Sequence, residues 1–332
     1  MRTAEEILRA KLCGDIFSRS EKAIVVSEYR EMARAYHPDV CKLPNATEIT
    51  AKINELYSTA LHLIELGKWE SSNSVQFQDT AGKKYISRFL KTAPFELGTM
   101  YISDGAVIYV FETQYSRYYD NAVSQIKALD YADETMKTEM SRFMPTIRFN
   151  FETTDGKKVL ILKKTHDVFL LSDVQKAFGG KIPDRHVAWI ISRLCNLCCY
   201  FDYTGIAHNG LTIDNCLISP EYHTVMPLGG WWYTKKIGEP LIGVPRSVYD
   251  VMPIKAKSDK ISSCQTDLEA IKLIGRQLID KDTAPKPIMD FLNCGSSANA
   301  RNEFAKWDSA LDAAYGKRQF VEMKINKSNI YQ

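Results

Sequence analysis

Residues 205–230, GIAHNGLTIDNCLISPEYHTVMPLGG, decide how most of this chain is read. A long apolar helical pattern, WIISRLCNLCCYF, precedes them and ends near Thr204-Gly205, where glycine supplies a helix stop. His208, Asn209 and Gly210 then stand together, and Asn215 follows five residues after Gly210. Two short apolar runs come next, CLIS and HTVMPL, closing on Gly229-Gly230.

Upstream, YISRFL, FELGTMYISDG and AVIYVFET are rich in aromatic and β-branched residues, which predicts strands. Asp104-Gly105 is a hairpin signal between two of these runs, and Asp155-Gly156 is another within IRFNFETTDGKKVLILKK. The stretch 119–142 reads as helical, and from about residue 184 the pattern is mostly helical. A strand-rich part followed by a helix-rich part predicts a two-lobed α+β unit.

This layout resembles the protein kinase fold over about residues 83–315, with a β-rich N-lobe and an α-rich C-lobe. HNGLTIDN aligns with the family's H-R-D-L-x-x-x-N loop, and LGG falls at the place of D-F-G. VLILKKTHDVFLLSDV looks like the last N-lobe strand, the hinge and the short helix after it. Thr266-Asp267-Leu268-Glu269 resembles the helix that carries the buried aspartate of the C-lobe. Phosphoryl transfer requires a phosphate-binding cation, a base and metal ligands. The resemblance puts Val110 at the strand lysine and Gln125 at the helix glutamate. His208 keeps its place, whereas Gly210 stands at the catalytic aspartate. Leu228 stands at the metal-binding aspartate, and Gly230 ends that motif. Asn215 alone keeps a metal-ligand type, with Asp214 beside it, and no G-x-G-x-x-G occurs in the first strand pair. Glycine has no proton acceptor and leucine cannot bind magnesium. The expectation is a pseudokinase with no catalytic residues, no metal and no cofactor. The alternative is an atypical kinase-fold enzyme or nucleotide-binding protein using Asp214 or Asn215.

At the other end of the chain, residues 31–40 read EMARAYHPDV. Thr3-Ala-Glu-Glu6 predicts a capping box at the start of a first helix. A second helix begins near Ser20-Glu21, and Val25, Tyr29, Met32 and Tyr36 recur on one face. Pro38 ends it at about Tyr36 and pushes His37 toward an extended conformation. Asn45 or Thr47 caps a third helix carrying Ile49, Ile53, Leu56, Tyr57, Ala60 and Ile64, which runs to about Leu66-Gly67. Paired through those stripes, the two helices leave His37, Pro38 and Asp39 at an exposed tip. The segment resembles a J domain, DnaJ-like, with its HPD motif between YREMARAY and KINELYSTAL. That resemblance implies a co-chaperone that stimulates ATP hydrolysis by a DnaK-type chaperone. It implies contact through His37, Pro38 and Asp39 and a basic face at Lys22, Arg30 and Arg34, which sets encounter rate and register. Glu28 and Glu31 dilute that charge, and the tyrosine-rich entry to the family's first helix is absent.

The expected organisation is a J domain at 1–69, a linker at 70–82, a kinase-like domain at 83–320 and a tail at 321–332. The leading expectation is a co-chaperone whose kinase-like part binds a client or complex. A scaffold that binds the chaperone without stimulating it stays open. A net charge of +3 neither argues for a nucleic-acid partner nor excludes one. No apolar run reaches the roughly 18 residues of a membrane span, and MRTAEEILRAK has no apolar signal region. Eight cysteines, three of them in CNLCC without a second CxxC, read as buried thiols in a reducing, cytoplasmic setting. Trp231-Trp232-Tyr233 reads as core, Glu139 as a surface carboxylate, and Lys317, Arg318, Lys324 and Lys327 as a solvated basic end.

Overall fold

The computed structural model describes residues 2–18, 21–66, 69, 73–317 and 319–331. The chain forms two compact units, Met1–Leu90 and Lys91–Gln332.

In the first unit, α1 (Ala4–Arg9) opens on the expected capping box. The Thr3 hydroxyl accepts from the Glu6 N–H at 3.2 Å, and the Glu6 carboxylate accepts from the Thr3 N–H at 2.8 Å. A single turn, α2 (Cys13–Ile16), leads to α3 (Lys22–Tyr36) and α4 (Ala46–Glu65). Val25, Met32 and Tyr36 share one core with Ile49, Ile53, Leu56, Ala60 and Phe17. Thr50 Oγ1 donates to the Tyr36 carbonyl at 2.7 Å, while the Tyr29 and Tyr57 rings stack 3.9 Å apart. Later residues of α3 thus meet earlier residues of α4, and the pair is antiparallel. Asn45 precedes α4 without a side-chain cap bond, and Thr47 lies inside the helix. Ser20 and Gly67, expected at helix ends, lie outside the described residues.

The linker expectation is corrected in part. Residues 74–88 form a hairpin, β1 (Ser74–Gln78) against antiparallel β2 (Lys84–Arg88). The hairpin belongs to the first unit, where the half-buried Arg88 guanidinium donates to the Asp15 carbonyl. Residues 83–90 therefore do not start the second unit. Glu70–Ser72 of the expected linker lie outside the described residues.

The second unit opens with an antiparallel sheet of order β3-β4-β5-β7-β6. Its strands are β3 (Lys91–Phe95), β4 (Gly98–Ile102), β5 (Ala106–Phe111), β6 (Ile147–Glu152) and β7 (Lys158–Lys163). FELGTMYISDG, expected as one run, folds into two strands. Gly98 makes the turn possible, because a side chain there would collide with the Val110 carbonyl. Asp104-Gly105 and Asp155-Gly156 sit in the β4–β5 and β6–β7 turns. The expected helix over 119–142 is two, α5 (Ser116–Lys127) and α6 (Glu134–Met140). Asp133 starts the second by accepting the Met136 N–H at 2.7 Å.

β8 (Phe169–Leu170) leads into α7 (Leu171–Ala177) and α8 (Asp184–Tyr203). The loop strands follow: β9 (Ile206–Ala207), β10 (Cys216–Ser219), β11 (Thr224–Pro227) and β12 (Lys235–Lys236). β10 pairs with both β11 and β8, and β9 pairs with β12, all antiparallel. The helices α9 (Arg246–Val251), α10 (Ile254–Asp259), α11 (Cys264–Leu278), α12 (Lys286–Asn293), α13 (Ala300–Tyr315) and α14 (Lys327–Ile330) complete the chain. Cys195 and Cys198 on α8 are buried free thiols whose pKa burial raises, which fits packing and not redox chemistry. Trp231, Trp232 and Tyr233 are core residues, and Glu139 is exposed. Lys327 pairs with Asp104 at 2.9 Å, and Arg318 lies outside the described residues. No helix among the described residues is long and apolar enough to cross a membrane.

Candidate functional site

Two places bring together the residues singled out above. The first is the turn after α3. His37 has φ −58 and ψ 133, the extended conformation that a following proline imposes. Its carbonyl accepts the N–H groups of Val40 at 2.9 Å and Cys41 at 2.8 Å, which closes the turn. The Tyr36 hydroxyl donates to the Arg2 carbonyl at 2.8 Å, so the residue before the tip is held by α4 and by the chain end. The tip side chains point outward: His37 is 53% and Asp39 86% exposed, with Nδ1 and Oδ2 3.5 Å apart. His37 Nδ1 also accepts the Asp39 N–H at 3.3 Å. Lys22, Arg30 and Arg34 are all exposed on α3. They lie on one inclined row of fourfold spacing, and exposed Glu31 flanks it.

The second place is the loop 208–215 with the segment 228–234. Asp267, buried on α11, accepts the backbone N–H of His208 at 2.6 Å and of Asn209 at 2.7 Å. Burial pushes its pKa up to about 7 against the pull of those two donors. The His208 ring lies 5.7 Å from Phe201 and 5.0 Å from Trp231, and its Nδ1 accepts the Gly210 N–H at 3.3 Å. Burial pushes the imidazole down to about 3, so it is neutral at neutral pH. Asn209 adopts φ 57, and its Nδ2 donates to Ala207 O, Tyr233 O and Ser262 Oγ at 3.0, 3.2 and 2.9 Å. Sequence reasoning gave Asn209 no role, although asparagine tolerates this left-handed conformation better than most residues.

Gly210 and Gly230 are in backbone contact. A Cβ on Gly210 would lie 2.8 Å from the Gly230 oxygen, and one on Gly230 would lie 2.6 Å from the Gly210 oxygen. Gly230 also has φ 82. Asn215 Nδ2 donates to the Gly210 carbonyl at 2.8 Å, and the Gly229 N–H donates to the Asn215 carbonyl at 2.9 Å. Leu228 is fully buried, and Asp214 is exposed. The arrangement offers no base at Gly210 and no carboxylate at Leu228. Among the described residues no group of three or more metal-ligating side chains could hold an ion.

One strand residue and one helix residue face this segment. The strand residue that reaches this loop is Tyr109. Its hydroxyl lies 2.7 Å from where a Gly229 Cβ would stand, while Val110 points to the other face of β5. On α5, Gln125 is half-buried, and the residue turned to the loop is Asn121. Its Nδ2 donates to the carbonyls of Trp232 at 3.1 Å and Thr234 at 2.9 Å.

No protein-family model matches the chain, and no curated protein matches it. Among solved structures, one described as "Structure of vaccinia related kinase 3" is similar at a TM-score of 0.48 and 10% identity. That alignment covers 72% of this chain and 90% of the other. The chain itself is a mixed helix and sheet protein.

Proposed function

We propose that this chain is a J-domain-type co-chaperone whose second unit is a kinase-like, non-catalytic binding module. One observation carries the reading. His37, Pro38 and Asp39 project from a closed turn between two packed antiparallel helices, and the residue before them is anchored at both its carbonyl and its hydroxyl. A tip made of an imidazole, a rigid proline and a carboxylate adds nothing to the core. Its backbone is nevertheless fixed, as a recognition element requires. The adjacent row of Lys22, Arg30 and Arg34 would steer an acidic surface of a DnaK-type chaperone.

Several features favour a kinase-like second unit. They are the sheet order, the helix between the third and fourth sheet strands in sequence, and the buried Asp267 holding the backbone of the 208–209 loop. The Gly210 and Leu228 positions argue against phosphoryl transfer. A fold kept without its chemistry serves as a surface, and we assign it the client or complex.

The test is the single-turnover ATPase rate of a DnaK-type chaperone with and without the full chain, using His37→Gln as control. Stimulation that disappears in the variant is the expected result. Equal rates with wild type, variant and no addition would overturn the co-chaperone reading.

A further inference from the structure

Between the inner face of the sheet and the 208–215 loop, the space is filled by the chain itself. Trp232 is fully buried there. Its ring centroid lies 5.1 Å from Phe95 on β3, 5.0 Å from Tyr109 and 5.4 Å from Phe111 on β5. The rings meet at steep angles, the edge-to-face arrangement that aromatic quadrupoles favour. The position is held from both sides. Asn121 fixes the carbonyls of Trp232 and Thr234, and Gly229-Gly230 brings the chain within reach of Tyr109, Asn215 and Gly210. The buried Tyr109 hydroxyl has no hydrogen-bond partner at this spot.

We propose that Trp232 is a built-in occupant of this cleft. Its indole fills the space between these rings and leaves no room there for a planar bicyclic ligand, so the wild-type chain binds none at this spot. Removing the side chain creates a site for an indole- or purine-sized ring, with Phe95, Tyr109 and Phe111 as its walls. The functional meaning rests on the kinase-like reading of the second unit, while the geometry does not. A self-filled cleft leaves the exterior of the unit as the place where a partner binds.

The test uses the full chain and indole as the probe. Trp232→Ala should melt below wild type, and indole should restore part of the loss. At about ten times its Kd it should raise the variant's Tm by about 4 °C and leave wild type and Trp232→Phe unmoved. The same Tm shift in all three proteins, or an alanine variant as stable as wild type, would overturn the proposal. If the alanine variant does not fold, 19F NMR of the 5-fluorotryptophan-labelled wild type decides, with Trp232→Phe assigning the resonance. The Trp232 signal should show no solvent isotope shift and no movement with MgATP. A shift of either kind would refute the plug. Loss of chaperone stimulation would sink the co-chaperone reading and leave the plug standing, so the two failures are distinct.

Discussion

On the kinase-like reading proposed above, Gly210 stands at the place of a catalytic base, and introducing an aspartate there is the obvious attempt to create activity. The structure predicts that it fails for a steric reason before a chemical one. A Cβ on Gly210 would stand 2.8 Å from the Gly230 oxygen, 2.9 Å from its Cα and 3.0 Å from Tyr233 Cδ2. Carbon contacts settle at about 3.5–4.0 Å, so the two strands of loop must separate by roughly 0.6 Å. Neither side yields easily. The Gly210 carbonyl is held by Asn215 at 2.8 Å, and the Gly230 carbonyl accepts the Tyr233 N–H at 2.9 Å. Overpacking of this kind costs about 1–3 kcal/mol, and the lower chain entropy of alanine returns about 0.4–1. Gly210→Ala should therefore lose about 1–2 kcal/mol and melt about 4 °C lower. Gly210→Asp adds an unpaired buried carboxylate and should lose more than about 3 kcal/mol, with no phosphoryl transfer from ATP. The control is Gly295→Ala, where an added Cβ meets nothing within 4 Å. Its Tm should equal or slightly exceed that of wild type. Thermal melts of the three variants and wild type decide. Gly210→Ala at or above the wild-type Tm would show that the two loops are not in contact, and the steric argument would be wrong.

Asp267→Asn replaces a carboxylate that accepts two N–H groups with an amide offering one acceptor, and should cost about 3 kcal/mol in urea unfolding. A change under about 1 kcal/mol would refute that role. His208 gives a pH signature. Folded, its imidazole is held down to about 3, while the unfolded group titrates at 6.5. Its stability contribution is therefore complete above pH 6.5 and is lost as the pH falls, because only the unfolded chain takes up the proton. The stability gap between wild type and His208→Gln should narrow by about 1.4 kcal/mol per pH unit between about pH 6 and 4. Asp267, raised to about 7, acts with the opposite sign, so the wild-type curve alone should look flatter than the difference curve. A pH-independent gap would contradict the burial of a neutral histidine. Lys272 and Glu303 form an ion pair at 2.8 Å with both side chains essentially unexposed. Lys272→Met should cost about 3–5 kcal/mol by stranding the carboxylate, and adding Glu303→Leu should recover most of it. Equal losses in the single and double variants would refute the pairing.

Much of this was legible along the chain because local chemistry dictates it. Pro38 must end α3, Thr3 and Glu6 cap α1, and Asp104-Gly105 and Asp155-Gly156 must turn. The apolar stripes of α3 and α4 are buried against each other and against Ile7, Ile16 and Phe17, and that leaves His37, Pro38 and Asp39 outside. Asp267 was marked only by the resemblance of Thr266-Asp267-Leu268-Glu269 to a kinase helix, and the structure supplies its donors, the N–H groups of His208 and Asn209. The break between α5 and α6 was less visible, since the residues on both sides are good helix formers and the Asp133 cap is a single residue.

What only the tertiary structure decided concerns which member of a neighbouring pair faces the site. On a strand, successive side chains point to opposite faces, so a shift of one position exchanges Val110 for Tyr109. On α5 one turn separates Gln125 from Asn121, and the helix pattern alone does not say which turn meets the 228–234 segment. The hairpin 74–88 joined the first unit through the Arg88 guanidinium and the Asp15 carbonyl, partners far apart in sequence. The contact of Gly210 with Gly230 and the seat of Trp232 have the same origin. Composition determined that these residues could be close-packed and buried. Their position against one another was set by the register of β5 and the placement of α5, which no run of residues carries by itself.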